Sequence, residues 1–259
     1  MAHDTENTHK TTEQAIALLD TIRRANGANV SDLLSEFEMA RSTLYTHLNT
    51  LQKAGFVVRE NGQYWVGVRL KEFSVAATER KPSYQIVKNT MRSLGEEIEA
   101  EAEFLVEEGG RINVIYHSEA ISHNRVRLYA HNTAAGKSLL SEMPDHRVQN
   151  ILDRHGLPEQ TQKTITDRET LLTQLEEISE NGFAYNDGEC FEGYHGIGTT
   201  IKGIHGGTLG AITIGGPVYR ISEKRLRNEM VDTLLDTAES IENEIQSQRS
   251  AIITELSNQ

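Results

Sequence analysis

The chain has a single cysteine, Cys190, and that scarcity removes two architectures. A disulfide framework needs cysteines in pairs, and a multi-cysteine zinc cage needs several thiolates. Long apolar runs are missing too, since nothing approaches the roughly 18 consecutive apolar residues of a membrane span. The opening residues, MAHDTENTHK, contain no apolar signal-peptide region, so the expectation is a cytoplasmic protein with no membrane partner. There is no internal repeat, low-complexity run, paired-carboxylate site or nucleophile motif. The glycines around Gly196–Gly198 and Gly206-Gly207 do not have phosphate-loop spacing. Basic charge is also in short supply. Lys and Arg number 26 against 38 Asp and Glu, a net of −12, which argues at first against a polyanionic partner.

The distribution of charge weakens that objection. Residues 1–70 hold seven Lys/Arg and eight Asp/Glu, leaving a net of −11 for residues 71–259. The segment from Ala40 to Arg59 contains Arg41, Lys53 and Arg59 and no acid. Acidity with more Arg than Lys also suits a protein working in concentrated salt, where fields are screened within about 3 Å at 1 M. A halophile-like protein of this kind would hold DNA by close contacts rather than by long-range attraction.

What is present is patterned. A length of 259 residues is comfortable for two domains. After a polar lead-in, Thr11 and Gln14 have capping-box spacing, and Ala15, Leu18, Leu19 and Ile22 recur at helical intervals until Asn26-Gly27. Asn29 with Asp32 announces a short second helix burying Leu33, Leu34 and Phe37, and Glu38-Met39 forms a turn. From Ala40 to Ala54 one line of a helical wheel carries Ala40, Leu44, Leu48 and Leu51. The opposite face carries Ser42, Thr46, Asn49 and Lys53, flanked by Thr43, Tyr45 and Thr50. Hydroxyls and a carboxamide can bond base edges, and a major groove admits one helix. A solvated face is the plainer alternative, but this face lacks the Glu/Lys pairs of an ordinary exposed helix. A hairpin follows at once, with Asn61-Gly62 setting Val57 to Arg59 against Gln63 to Val66. His47 falls on the flank of the apolar side and reads as a packed residue. Arg41, in the first turn, suits a phosphate.

The pattern RSTLYTHLNTLQKAGFV, followed by a turn and YWVGVRL, resembles the DNA-binding domain of the IclR family of transcription regulators. The resemblance implies an α+β protein: a winged helix-turn-helix over 1–68, a linker helix over 69–82, and a GAF-like effector domain over 83–259. That last domain would hold an antiparallel sheet flanked by helices. Thr46 stands where many members carry Arg, so their base preference does not transfer.

The rest of the chain fits such a division. Leu70, Phe73, Ala76 and Ala77 suggest the linker helix, which Lys81-Pro82 should end. Val87, Met91, Leu94 and Ile98 mark the next helix. Strands are expected at Glu103–Glu107, Ile112–His117, Arg125–Tyr129, Phe183–Tyr185, Thr199–Ile204 and Leu209–Gly215. Helices are expected near Ala135–Met143, Asp145–Arg154 and Arg168–Asn181, the last capped by Asp167. One long helix should run from Ser222 past Ser247, with Met230, Leu234, Ala238, Ile241 and Ile245 on one side.

Three segments, HNTAAGKSLL, GFAYNDGECFEGYHGIGTTI and GAITIGGPVYR, resemble the family's effector-pocket loops. By that resemblance Ala134 and Ala135 offer backbone N–H groups at a helix N-terminus, and Gly136 allows close approach. Taken alone, the same residues read as an ordinary helix start with small side chains for packing. Asn186, with Asp187 beside it, stands where members with small-acid ligands often carry Asp. Gly196 stands where Cys is frequent, Thr199-Thr200 replace Ala-Pro, Thr213 keeps a ligand-contacting hydroxyl, and Gly215 has lost one. No cofactor is implied. Cys190, His195 and His205 lack the short paired spacing of structural zinc sites, so no metal is expected, and the remaining histidines show no usable spacing.

The expectation is therefore a ligand-responsive regulator, as a homodimer or homotetramer, on double-stranded palindromic DNA. Its effector would be a small metabolite from sugar or organic-acid breakdown. Two competing readings are a hydrolase using Cys190 and His195, and a constitutive DNA-binding protein whose second domain only oligomerises. A lone cysteine without an identifiable base gives the hydrolase little support.

Overall fold

The structure, a computed structural model, describes residues 8–118 and 128–257, with side chains through residue 248. The chain forms two compact units, Met1–Arg80 and Lys81–Gln259.

The first unit contains α1 (Lys10–Ala25), α2 (Val30–Glu36), α3 (Arg41–Lys53), β1 (Val57–Glu60), β2 (Gln63–Val66) and α4 (Leu70–Glu79). Leu18, Ile22, Leu33, Leu44, Leu48, Val57 and Tyr64 make its core. The helical period of apolar residues seen in the sequence is what brings α1, α2 and α3 onto that core. α2 starts on the expected capping box, Asn29 accepting from Asp32 N and Asp32 accepting from Asn29 N. α1 does not start on its own: His9 is the N-cap, without a side-chain bond, and Thr11 and Gln14 lie inside the first turns. The helix therefore starts two residues before the capping spacing indicates. Ala40 is a second departure, because it is the exposed N-cap of α3 rather than part of its buried face.

The α1–α2 turn depends on Gly27, at φ +101°, where a Cβ would lie 2.8 Å from the Trp65 ring. Ala28 and Tyr64 exchange backbone hydrogen bonds of 3.0 and 2.8 Å, which fastens this turn to the hairpin. The hairpin has the expected register, Val57 opposite Val66 and Glu60 opposite Gln63, around Asn61 and Gly62 at positive φ.

α4 is tied to the same unit. Phe73 meets Phe56 edge to face at 5.2 Å, and the Arg69 guanidinium lies 5.5 Å over the Phe56 ring while donating to the Ala54 carbonyl. The helix is present where the spacing predicts it, but its apolar stripe is not buried. Phe73 and Val75 are 50% and 41% exposed, and Ala76 and Ala77 are exposed as well. A helix of this length that meets only the foot of a hairpin has no partner for its remaining turns within the unit.

The second unit opens with α5 (Pro82–Ile98), with Pro82 in the first turn, where its missing N–H costs nothing. Five antiparallel strands follow the order β4-β3-β7-β6-β5: β3 (Glu101–Glu108), β4 (Arg111–His117), β5 (Ala184–Asp187), β6 (Tyr194–Lys202) and β7 (Thr208–Pro217). Because side chains alternate along a strand, the sheet has two faces. Ala102, Phe104, Ile197, Ile212 and Ile214 pack in one core with α5 and α10 (Val231–Ser257). Leu105, Ala184 and Ala211 share another core with α6 (Ala134–Ser141), α7 (Asp145–His155) and α8 (Arg168–Asn181).

Some strand ends differ from the expectation. β6 begins at Tyr194, five residues before the predicted start, because Gly196 and Gly198 hide the alternation that marks a strand. The strand expected at Arg125–Tyr129 falls largely outside the described residues, and Leu128 and Tyr129 are not in a strand. The last helix is interrupted: a turn of α9 (Glu223–Arg225) passes through a π-helical stretch, Leu226–Met230, before α10.

Candidate functional site

Two surfaces matter, one in each unit. On α3 the core takes Leu44, His47, Leu48 and Leu51 and leaves Arg41, Ser42, Thr43, Thr46, Asn49, Thr50 and Lys53 exposed, with Tyr45 half-buried. Arg59 is exposed on the hairpin, its guanidinium 5.5 Å from the Tyr64 ring centroid. The predicted face is thus brought together, with a restriction the wheel does not reveal. The Thr46 hydroxyl donates to the Ser42 carbonyl at 3.0 Å and the Thr50 hydroxyl to the Thr46 carbonyl at 2.8 Å. Their protons are spent on the helix, so these threonines can only accept from a nucleic acid. Asn49 has both a donor and an acceptor to offer.

In the second unit the face toward α6 turns polar at one end. Register places Glu103 opposite His117 and Thr213, Thr213 opposite Gly198, and Gly198 opposite Ala184. The next row is Glu101, Gly215, Gly196 and Asn186. Glycines at 196, 198 and 215 remove side chains from this face and leave room above the sheet. The start of α6 uses part of it: a Cβ on Gly198 would lie 2.9 Å from the Ala134 backbone and 3.0 Å from Ala135 N. Ser138 holds the helix there by donating to the Gly198 carbonyl at 2.8 Å. Ala134 and Ala135 are the first helical residues, whose N–H groups point away from any carbonyl one turn back.

Tyr194 reaches into the remaining room. A Cβ on Gly215 would sit 2.6 Å from the His195 carbonyl and 2.8 Å from the Tyr194 hydroxyl. That hydroxyl donates to Glu101, and burial followed by the charges of Glu103 and Glu101 pushes its pKa well up. Glu103 accepts from Thr213 Oγ1 at 3.0 Å, and its other oxygen is 3.2 Å from His117 Nε2. Burial, opposed by the Thr213 bond and assisted by the Glu101 charge, pushes Glu103 up to about 7.

Other expected contacts are committed elsewhere. Gly136 accommodates the backbone of Ala130, whose carbonyl would be 2.4 Å from a Cβ. The Asn186 side chain accepts from Glu189 N at 2.9 Å and shapes the turn after β5. Asp187 faces Lys163 at 2.9 Å and His195 at 2.7 Å. His195 therefore partners a carboxylate and not Cys190. The Cys190 thiol is buried, and desolvation with the nearby charges of Glu103 and Glu189 pushes it up to about 12, the reverse of an activated nucleophile. Among the described residues no group of three or more His, Cys, Asp or Glu could hold a metal ion.

The acidic pair is absent from the sequence expectation, which starts this strand at Glu103; β3 begins at Glu101, and both carboxylates are largely buried. Lys137 was also missed. It is fully buried and bonds Glu189 at 2.5 Å, with desolvation holding its pKa below the ordinary lysine value against the pull of that carboxylate. A separate cavity of about 250 Å³, bounded by Glu107, Leu139, Met143, Arg147 and Leu209, lies at the opposite end of α6.

A winged helix with an acid-free exposed face, joined to an α/β-sheet unit with a small-residue polar recess, defines a DNA-binding regulator with a sensory domain. The comparisons give the family. Residues 11–61 match the IclR helix-turn-helix domain and residues 75–243 match the bacterial transcriptional regulator IclR C-terminal domain. The chain belongs to the IclR family of transcription regulators, which bind DNA and respond to small ligands. It is 26% identical over 238 residues to the probable HTH-type transcriptional regulator ArcR of Halobacterium salinarum, covering 88% of this chain and 90% of that one. It is 28% identical over 242 residues to the HTH-type transcriptional repressor AllR of Escherichia coli, covering 88% of each. Its fold resembles that of an IclR homologue from Microbacterium hydrocarbonoxydans solved with 4-hydroxybenzoate. The TM-score is 0.73 at 20% identity, over 92% of this chain and all of the other. No helix among the described residues is long and apolar enough to cross a membrane.

Proposed function

We propose that the protein acts in the cytoplasm as a homodimer, or a dimer of dimers, on a palindromic operator. Paired α3 helices would enter successive major grooves about 34 Å apart. The observation that carries this reading is the exposed side of α3, which presents Arg41, Ser42, Thr43, Thr46, Asn49 and Lys53 without a carboxylate, next to Arg59 on the wing. Arg41, Lys53 and Arg59 serve phosphates, and Asn49 reads a base edge. Tyr45 and the threonines complete the contact as acceptors and apolar surface. The exposed stripe of α4, with Phe73 and Val75, favours pairing of two chains.

The effector site in this reading is the recess above Thr213, Gly215 and Gly196, roofed by Ala134 and Ala135. A small carboxylate from the breakdown of sugars or organic acids would accept from the two α6 amides. The relative that holds 4-hydroxybenzoate supports a ligand of this size. Effector binding would bias α4 between two settings of the paired DNA-binding units, a coupling of about 1–3 kcal/mol.

Gel-shift titrations on specific and scrambled DNA test the interface. Arg41→Ala and Lys53→Ala should weaken both DNAs alike, whereas Asn49→Ala should change the preference between them. Unchanged affinity for all three variants would remove α3 from the groove.

A further inference from the structure

Spare hydrogen-bonding capacity around the recess is one-sided. Asn132 is completely buried and its side-chain nitrogen donates to Gln160 Oε1 at 2.6 Å, yet its Oδ1 has no partner among the described residues. Glu189 is 6% exposed; one oxygen bonds Lys137, and Oε2 has no partner among the described residues. Asn132 immediately precedes the N-cap of α6, and Glu189 follows the end of β5, its N–H bonded to the Asn186 side chain. Cys190 Sγ approaches the same Gln160 oxygen at 3.7 Å, and Cys190 lies close enough to Glu103 and Glu189 to feel both charges.

Two more carboxylates stand on the floor. Glu101 and Glu103 are two residues apart on one face of β3, hence about 7 Å apart. Glu101 is 5% exposed and accepts from Tyr194. The basic groups nearby already have partners: Lys137 bonds Glu189, Lys163 bonds Asp187, and His117 Nε2 lies 3.2 Å from Glu103. A buried acceptor without a donor costs free energy until a donor arrives, and a charged donor gains most beside carboxylates. A ligand that is only an anion would meet α6 amides on one side and this acidic floor on the other.

The geometry points to an effector that carries a cationic nitrogen, an ammonium or guanidinium group, directed at Glu101, Glu103, Glu189 and Asn132. This rests on the reading of the recess as the effector site, and it adds to that reading: the ligand is an amino-carboxylate rather than a simple acid. Its carboxylate faces the start of α6, and its N–H donors satisfy the acceptors below.

The test uses the full chain, thermal melting and three matched sets of probes at equal ionic strength. The ω-amino acids glycine, 4-aminobutyrate and 6-aminohexanoate are set against acetate, butyrate and hexanoate, and against ethyl-, butyl- and hexylammonium. At least one amino acid should raise the melting temperature by about 2–4 °C beyond its matched carboxylate. The gain should vanish in Glu103→Gln, with affinity for that amino acid lowered about tenfold or more. The carboxylate response should survive in that variant. Carboxylates that equal or exceed their amino acids in the wild-type chain would overturn the cationic end while leaving the anion-binding recess in place. No shift from any probe would remove both.

Discussion

Replacing Glu103 by Gln gives a direct measure of what the sheet does to this carboxyl group. Folding raises its pKa from 4.5 to about 7, chiefly by burial, with the Thr213 bond acting against the shift and the Glu101 charge acting with it. The folded state thus favours the protonated acid. The stability this contributes is present in full below about pH 4.5 and is lost as pH rises through about 7. At 1.36 kcal/mol per pH unit, the difference between those limits is at most about 3 kcal/mol. The side chain is 19% exposed, so little of this is screened by solvent. Gln keeps an oxygen for the Thr213 hydroxyl and is neutral at every pH. Against the groups that surround it, Glu101, His117, Tyr194 and Cys190, it removes only the ionisation. Wild type and Glu103→Gln should therefore match below about pH 4.5 and diverge with rising pH, the variant being more stable by up to about 3 kcal/mol near pH 8. Urea titrations of the full chain followed by circular dichroism give the numbers. A variant less stable by a constant amount at every pH would refute the reasoning. It would mean that Glu103 is ionised throughout and held by His117, 3.2 Å away.

Leu48→Ala removes a side chain with no exposure from the first unit's core and should cost about 2–5 kcal/mol, readable as a lower denaturant midpoint. Lys137→Met leaves Glu189 buried without its cation and should cost about 3–5 kcal/mol. Pairing it with Glu189→Leu should recover most of the loss, a coupling measurable in a double-mutant cycle. Gly215→Ser would place a Cβ 2.6 Å from the His195 carbonyl and 2.8 Å from the Tyr194 hydroxyl. It should strain the β6–β7 pairing and displace that ring, visible as a lower denaturant midpoint and altered tyrosine fluorescence, and adding Tyr194→Ala should relieve only the ring's share of the loss.

The first unit was largely legible in the sequence, because its elements are local and each has its own signal. The 3.6-residue period placed Leu44, Leu48 and Leu51 inward, the Asn29/Asp32 capping box opened α2, and Asn61-Gly62 fixed the hairpin register. What the wheel omitted is where hydroxyl protons go; the bond from Thr46 to Ser42 depends on rotamers, not on spacing. The recess was legible only through resemblance. Its residues come from β3, β6, β7 and the start of α6, more than 100 residues apart in the case of Glu103 and Thr213. No local pattern joins them. Glu101 and Glu103 alternate with Ala102 and Phe104 as a half-solvated strand would, and the same alternation serves a strand covered on both faces. Gly136 and Asn186 also meet demands nearby that the sequence does not show, the Ala130 backbone and the Glu189 amide. Those contacts lie across turns whose shape sequence spacing does not specify.

The clamp at the foot of α4 decides how a displacement is transmitted within the first unit. Arg69 and Phe73 grip Ala54 and Phe56, which directly follow α3. The ten residues of α4 make a rod about 15 Å long. Force applied near Glu79 therefore acts on a handle, not on a tether. A tilt there is passed to the segment that joins α3 to the hairpin, through Ala54 and Phe56.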